Sequence, residues 1–254
     1  MLGMSALEVV RVGDDVFLCR GRDANWVILR EDGELTLVDT GYPAYVPVVE
    51  ESIRQVGARP EDVRGIVVTH GHVDHIGGLA HFHGRCGVPV LAHPTEVPHV
   101  RRERLEQATP AQVARNAHRR GVLTWSLRIT RAGALKDVAF ADVQPLVPGE
   151  PLDLPGRPVP VPTAGHTSGH TAFFVPTAGA VATGDGLCTA HPTAPTTGPQ
   201  LLARMFQHGD DVAGLDPLAG LDADVVLPGH GPVHRGPIAE AVRAARETAA
   251  ARTW

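Results

Sequence analysis

His70, His72, Asp74 and His75 place four side chains of metal-ligand type within six consecutive residues. Imidazole nitrogen and carboxylate oxygen are the donors that a borderline cation such as Zn²⁺ takes, at about 2.0–2.2 Å. In a chain with 14 histidines, chance would produce such a His-x-His-x-Asp-His string roughly 0.003 times, so a polar turn with incidental histidines explains it poorly. The run Ile66-Val67-Val68 just before it reads as a short strand buried on both faces. At the end of that strand His70 and His72 point to one side, and a turn brings in Asp74 and His75 from another.

Four ligands can hold one metal, and three further positions repeat the setting. His166 lies in Thr163-Ala164-Gly165-His166-Thr167-Ser168-Gly169-His170, after the strand-like run Val159–Val161. Asp185 follows Ala180–Thr183 in Thr183-Gly184-Asp185-Gly186, and His230 follows Val225-Val226-Leu227 in Pro228-Gly229-His230-Gly231. Asp39 repeats the arrangement in Leu37-Val38-Asp39-Thr40-Gly41. In each case an apolar strand ends, glycine permits a tight backbone and one ligand-type side chain appears. Ligands at the C-terminal ends of several strands converge along one sheet edge, where α/β folds generally carry their sites.

The elements that must position these residues follow from periodicity. Val9–Val12, Val16–Cys19, Trp26–Arg30 and Leu35–Val38, broken by Gly13-Asp14-Asp15 and Glu31-Asp32-Gly33, suit an antiparallel meander. Tyr45–Val56 has helical spacing, with Gly57 as its stop; a short helix is expected over Leu79–His83 and a strand over Val88–Leu91. From about 96 to 144 the chain becomes rich in arginine and reads as a helical insert of two or three short helices, with Thr109-Pro110 as an opening and Gly121 as a stop. Strands resume at Val159–Val161, Ala172–Val175, Ala180–Thr183 and Asp224–Leu227, with helices expected over Pro199–Gln207 and Pro237–Arg252. Pro148–Pro162 reads as a connection plus an edge strand. The pattern predicts one α/β domain over residues 1–254, a two-sheet core with helices outside.

Composition narrows the class. With 43% hydrophobic and 20% charged residues the chain is ordinary for a soluble globular protein, and its net charge of −5 does not point to a nucleic acid. Cys19, Cys86 and Cys188 are odd in number and far apart, which suits a reducing compartment. Met1–Val10 lacks the pattern of a signal peptide, and no apolar run approaches the ~20 residues of a membrane helix. A cytoplasmic protein with no membrane partner is expected.

Taken together, Asp39 through His230 resemble the five sequence motifs of the metallo-β-lactamase superfamily, over nearly the whole chain apart from the insert. The resemblance implies an αββα sandwich of two mixed β-sheets with outer helices. It implies two Zn²⁺ ions, the first bound by His70, His72 and His166, the second by Asp74, His75 and His230, with Asp185 bridging them. Asp39 would then hydrogen-bond the site without touching metal, and His170 is expected to support the ligands in the same way. The implied reaction is hydrolysis: water bridging the metals becomes hydroxide near neutral pH, because coordination lowers its pKa to about 7. Asp74 is the expected catalytic residue, orienting the hydroxide and passing a proton to the leaving group.

Two positions divide the superfamily. Its true β-lactamases generally carry Cys or Ser where this chain has Asp185, which points toward the glyoxalase II-like and lactonase-like branch. Its flavodiiron branch carries a carboxylate in place of His72, so zinc is favoured here, with iron and manganese left open. The expected substrate is a small-molecule ester, thioester or lactone. A glutathione thioester is disfavoured because only 24 residues follow His230. Family lactonases often place Tyr where this chain has Cys188, so a homoserine lactone gains no support. The rival readings are a mononuclear iron enzyme resembling persulfide dioxygenases, and a non-catalytic metal-binding protein of the same fold. An RNA-gripping role for the insert is disfavoured by net charge. The insert reads either as a lid whose arginines meet an anionic acyl group, such as a coenzyme A or carrier-protein thioester, or as an amphipathic cap with solvated arginines. His81, His83, His93, His99, His118, His191, His208 and His234 read as surface or packing residues.

Overall fold

Short apolar runs punctuated by turn residues fold as the expected meander in a computed structural model, which describes residues 7–250 and 252. Strands β1 (Glu8–Arg11), β2 (Val16–Arg20), β3 (Asn25–Glu31) and β4 (Glu34–Val38) pair antiparallel in sequence order. Asp32 and Gly33, both with positive φ, form the two-residue turn between β3 and β4, as a type I′ hairpin requires. Helix α1 (Val46–Gln55) then crosses over to β5 (Val63–Val67), which lies parallel to β4. Parallel β6 (Val90–Ala92) and β7 (Val143–Pro145) complete a seven-stranded sheet. Between β5 and β6 come the one-turn helix α2 (Val73–Ile76) and helix α3 (Leu79–Cys86).

The insert supplies three helices: α4 (Val97–Val100), α5 (Pro110–Arg115) and α6 (Val122–Ala132). Thr109 caps α5 reciprocally with Gln112. Gly121 does not end that helix. It precedes α6 with φ +77°, and a Cβ there would strike the carbonyl of Pro192. Residues 143–144 belong to β7 of the first sheet, not to the helical segment.

The second sheet has β8 (Val159–Pro162) at its edge, then β9 (Thr171–Val175), β10 (Ala180–Gly184), β11 (Val225–Pro228) and β12 (His234–Arg235). Strands β10 and β11 are parallel, and the other pairs are antiparallel. Helices α7 (Asp216–Ala219) and α8 (Ile238–Ala250) lie outside it. Alternation sorts the side chains into layers. Leu18, Leu29, Val38 and Val67 of one sheet meet Phe173, Ala182 and Leu227 of the other between the sheets. Phe17, Trp26, Ile28, Leu37 and Ile66 face the opposite way, onto Val49 and Ile53 of α1 and Phe82 of α3. Val181 and Val226 face Val242 and Ala245 of α8. The result is the αββα sandwich.

One expected element is absent. Pro199–Gln207 is not a helix: Gln200 pairs through its backbone with Cys188, and only Arg204–Phe206 makes a short 3₁₀ turn. The backbone partners of this segment lie across the chain, so no i→i−4 ladder forms. The expected terminal helix is present as α8, although residue 251, within the span foreseen for it, lies outside the described residues, as does most of the Met1–Val10 segment. No helix among the described residues is long and apolar enough to cross a membrane.

Candidate metal centre

Strands β4, β5, β8, β10 and β11 end at one edge of the sandwich, and their C-terminal loops carry the predicted ligands there. His70 and His72 leave β5, while Asp74 and His75 sit on α2; His166 follows β8, Asp185 follows β10 and His230 follows β11. Ligand atoms of His70, His72, His166 and Asp185 all lie within 4.8 Å of one another, as do those of Asp74, His75 and His230. Asp185 reaches both groups: its Oδ2 is 3.5 Å from His166 Nε2 and 3.2 Å from His230 Nε2, and its Oδ1 is 3.5 Å from His75 Nε2.

Hydrogen bonds behind the rings decide which nitrogen faces inward. His75 Nδ1 donates to Asp39 Oδ2 (2.7 Å), and His70 Nδ1 donates to the Thr69 hydroxyl (3.0 Å), which itself donates to Asp39 (2.7 Å). His72 uses Nε2 instead, donating to the Glu106 carbonyl at 2.6 Å; His166 Nδ1 donates to Gln207 Oε1 at 3.3 Å. What remains inward is one nitrogen of each of these rings. His72 Nδ1 and His166 Nε2 face each other at 3.1 Å, and His70 Nε2 and His75 Nε2 are buried with no hydrogen-bond partner. Facing lone pairs repel unless a cation lies between them. Donors ~2.1 Å from a common tetrahedral centre are ~3.4 Å apart, close to the 3.1–3.9 Å separations here. Both donor groups therefore fit a divalent metal. Asp39 belongs to neither donor group but braces both arms from behind, holding the Thr69 N–H (2.8 Å) as well. His170 Nε2 accepts from the backbone N–H groups of Asp185 and Gly186, both at 3.1 Å, which aims the Asp185 carboxylate.

Electrostatics separate the two groups. Burial, reinforced by neighbouring imidazoles, holds His70 and His72 well below the usual histidine range, and burial takes His166 to about 3 and His170 to about 4. These rings are neutral at physiological pH, the form that ligates metal. In the other group burial opposes charge on His75 and His230, but the carboxylates of Asp39, Asp185 and Asp74 outweigh it and raise both. Burial also opposes ionisation of Asp185, yet His230 and His75 hold its carboxyl well below normal, whereas burial raises that of Asp74. A dication in this group would displace the imidazolium protons, as metal binding generally does.

Several residues at the centre escaped the sequence reading. Glu96, fully buried, accepts the Gly71 N–H (2.7 Å) and His99 Nδ1 (2.8 Å) on one oxygen, and the Thr167 hydroxyl (2.9 Å) and Gly169 N–H (3.0 Å) on the other. It thus staples the His70–His72 turn to the His166 loop. Glu106 takes the Ser168 N–H at 2.6 Å, while its carbonyl holds His72. Asn25 Nδ2 donates to the carbonyls of Pro228 and Gly231, fixing the His230 loop to the other sheet. His99 and His191, expected at the surface or in packing, are buried against the site. His191 lies edge-on to His230 with ring centroids 4.9 Å apart, and it lines the cavity of about 100 Å³ above the ligands with Tyr42, Trp125 and Phe206. Its Nδ1 accepts from the Thr193 N–H and faces the Thr193 hydroxyl, so the remaining proton sits on Nε2. Cys188 is fully buried with its Sγ 3.8 Å from Asp185 Oδ1, and burial pushes its thiol pKa up. The insert arginines are mostly engaged in structure: Arg101 holds the carbonyls of Ala141 and Val143, Arg104 pairs with Glu106 and Arg128 with Asp23.

An αββα sandwich with clustered His and Asp donors at one sheet edge defines the class, and sequence comparison names it. The metallo-beta-lactamase superfamily profile matches residues 19–230, and the chain belongs to that superfamily. The chain is similar to the probable metallo-hydrolase YflN of Bacillus subtilis, 24% identical over 226 residues that cover 79% of this chain and 76% of that protein. It is 30% identical over 176 residues to the probable metallo-hydrolase Rv2300c of Mycobacterium tuberculosis, covering 59% of this chain and about half (51%) of that relative. Among solved structures, the metallo-beta-lactamase family protein TTHA1429 of Thermus thermophilus superposes with a TM-score of 0.66 at 26% identity, over 98% of this chain and 80% of that one.

Proposed function

We propose that the protein is a dinuclear zinc hydrolase that cleaves an ester, thioester or lactone bond of a small molecule in the cytoplasm. The observation that carries this reading is the convergence of ligand nitrogens and carboxylate oxygens, with the rings of His70, His72, His75 and His166 fixed from behind. His70, His72 and His166 would hold one ion, Asp74, His75 and His230 the other, with Asp185 between them. Two such ions supply Lewis acidity that polarises a carbonyl and lowers the pKa of water to about 7.

The chain's own groups do the rest. Asp74 Oδ2 faces His230 Nε2 (3.5 Å) and His75 Nε2 (3.8 Å), leaving Oδ1 to take the proton of the attacking water and pass it to the leaving oxygen or sulfur. His191 Nε2–H is the donor for the carbonyl oxygen as negative charge develops there. Trp125, Ile129 and Phe206 wall the cavity with apolar surface and keep out bulk water. A small-molecule substrate, not a nucleic acid or membrane lipid, is supported by the narrow cavity, the net charge of −5 and the paired insert arginines.

The test is metal analysis of the purified protein followed by a panel of thioesters, lactones, aryl esters, β-lactams and phosphodiesters. About two zinc per chain with ester, thioester or lactone turnover is expected. One iron with oxygen uptake, or two metals with no turnover, would overturn the proposal.

A further inference from the structure

A groove of roughly 700 Å³ runs between α5, α6 and the segment after α4. It shares Val73, Gln107, Ala108, Trp125, Ile129 and Ala134 with the cavity above the ligands, so the two adjoin, and Val73 stands between His72 and Asp74. Its far walls are aliphatic: Leu105, Leu123 and Leu135 line it although 56%, 55% and 71% exposed. Apolar side chains gathered in this way at a groove mark a place that something apolar covers.

One charged group in the groove has no protein partner for part of its head. Arg102 Nη1 donates to Gln107 Oε1 at 3.3 Å, but Nη2 is buried without any hydrogen-bond partner. Its backbone is held at φ +62°, in the left-handed region that arginine seldom adopts, and such outliers gather at ligand clamps. The other charged residues lining the groove are Lys136 and Asp137, leaving one net positive charge. Asp137, Asp74 and Glu96 all act on Arg102 through space. The single net charge of the lining matches a monoanion better than a doubly charged phosphate.

We infer that Arg102 and this groove bind the acyl part of the substrate, an apolar chain bearing one carboxylate, while its ester or thioester carbonyl lies over the metal ligands. The inference rests on the hydrolase reading and narrows it to the half-esters or half-thioesters of aliphatic dicarboxylic acids. Arg102 and Gln107 lie beside the junction of groove and cavity, so chain length decides whether the carboxylate reaches Nη2.

The experiment compares 4-nitrophenyl esters of monocarboxylic acids with the matching half-esters, from butanedioic to dodecanedioic acid, on the metal-loaded protein. Half-esters of one chain-length range are expected to have the higher kcat/KM. Arg102→Gln is expected to lower kcat/KM for half-esters about tenfold to a hundredfold more than for uncharged esters, removing that advantage; Arg102→Lys retains part of it. Equal rates for the two series, or an advantage that survives Arg102→Gln, overturn the inference. A binding measurement keeps it separable from the hydrolase reading: octanesulfonate and octanol are titrated against tryptophan fluorescence, since Trp125 lines the groove. Weaker sulfonate binding in Arg102→Gln with octanol unchanged supports the site even if no ester is turned over, a result that would sink only the hydrolase reading. Unchanged sulfonate binding overturns the site.

Discussion

Replacing Glu96 by glutamine exchanges one carboxylate oxygen for an amide donor in a place where both oxygens already accept two hydrogen bonds. If the amide faces Thr167 and Gly169, the hydroxyl can turn and accept, but the Gly169 N–H meets a donor and is left buried and unpaired. If it faces Gly71 and His99, the imidazole can switch tautomer and accept, at the cost of its weak 3.4 Å bond from the Glu106 N–H, and the Gly71 N–H is left buried and unpaired. Either arrangement leaves one buried backbone N–H without a partner. Hydrogen bonds to a charged acceptor contribute about 1.5–3 kcal/mol each, and an unpaired buried donor costs about 1–3. The expected loss is therefore about 3 kcal/mol at pH 7, or a fall in Tm of roughly 6–12 °C for a chain of this size.

The same change should loosen the ligands, because Gly71 lies between His70 and His72 while Thr167 and Gly169 follow His166 in its loop. Outer hydrogen bonds of this kind are worth about 10–100-fold in metal affinity. Burial opposes ionisation of Glu96, but His99 and the other donors outweigh it and its pKa falls below 4.5. A carboxylate with a depressed folded pKa contributes stability above its unfolded value, and that contribution fades as pH falls through the folded one. The gap between wild type and Glu96→Gln should thus hold from neutral pH to about 4.5 and shrink below it. Guanidinium unfolding across pH and competition with a chelator measure both effects. A glutamine variant within about 1 kcal/mol of wild type at pH 7, with unchanged metal affinity, would refute the stapling role.

Further predictions concern the site's walls. His191→Phe keeps an aromatic ring against Trp125 and Phe206 but removes the Nε2–H donor; kcat should fall about a hundredfold with metal content unchanged. Gly229→Ala would drive a methyl group into Asp185 Oδ1 and to 2.9 Å from His75 Cε1. Metal analysis should then find less than half the wild-type content, although far-UV circular dichroism stays native. Replacing Thr109–Gly133 by a short Gly/Ser linker should leave both metals in place while abolishing selectivity among acyl chains. A deletion that begins at Glu96 should lose the metals, and if the two deletions behave alike the division of the insert is wrong.

What could be read from the sequence was the part of the site written as local strings. His70–His75 is dense enough to announce itself, and His166, Asp185 and His230 each repeat the pattern of apolar strand, glycine and ligand. The residues that hold them in place were not legible in the same way. Asn25 sits about two hundred positions from the loop that it fixes, and no periodicity marks it. Glu96 lacks even that pattern: no glycine separates it from β6, and His93 is the first ligand-type side chain after that strand. His191 lies beyond Asp185 in an irregular loop, so its placement depends on tertiary packing alone. The helix foreseen over Pro199–Gln207 failed for a related reason. Leu201, Leu202, Met205 and Phe206 mimic helical spacing, but the backbone of Gln200 had a better partner in Cys188.

The insert shows why a choice between lid and cap was too coarse. Its opening residues are part of the metal centre: Glu96 carries the turns around three ligands, and the Glu106 carbonyl sets which nitrogen of His72 faces inward. Its helices do different work. The α5 and α6 segments wall a groove that the ligands do not need, and Trp125 joins the two by lining both the groove and the ligand cavity. Composition could not separate these roles, because arginines run through both halves. The hydrogen bonds do separate them. Arg101, Arg104 and Arg128 are spent on carbonyls and carboxylates of the fold, whereas Arg102 alone among these four keeps a buried donor without a partner. On the proposed reading the segment is a brace for the metal ligands followed by a wall for the substrate, and that order along the chain would let specificity change without disturbing the ligands.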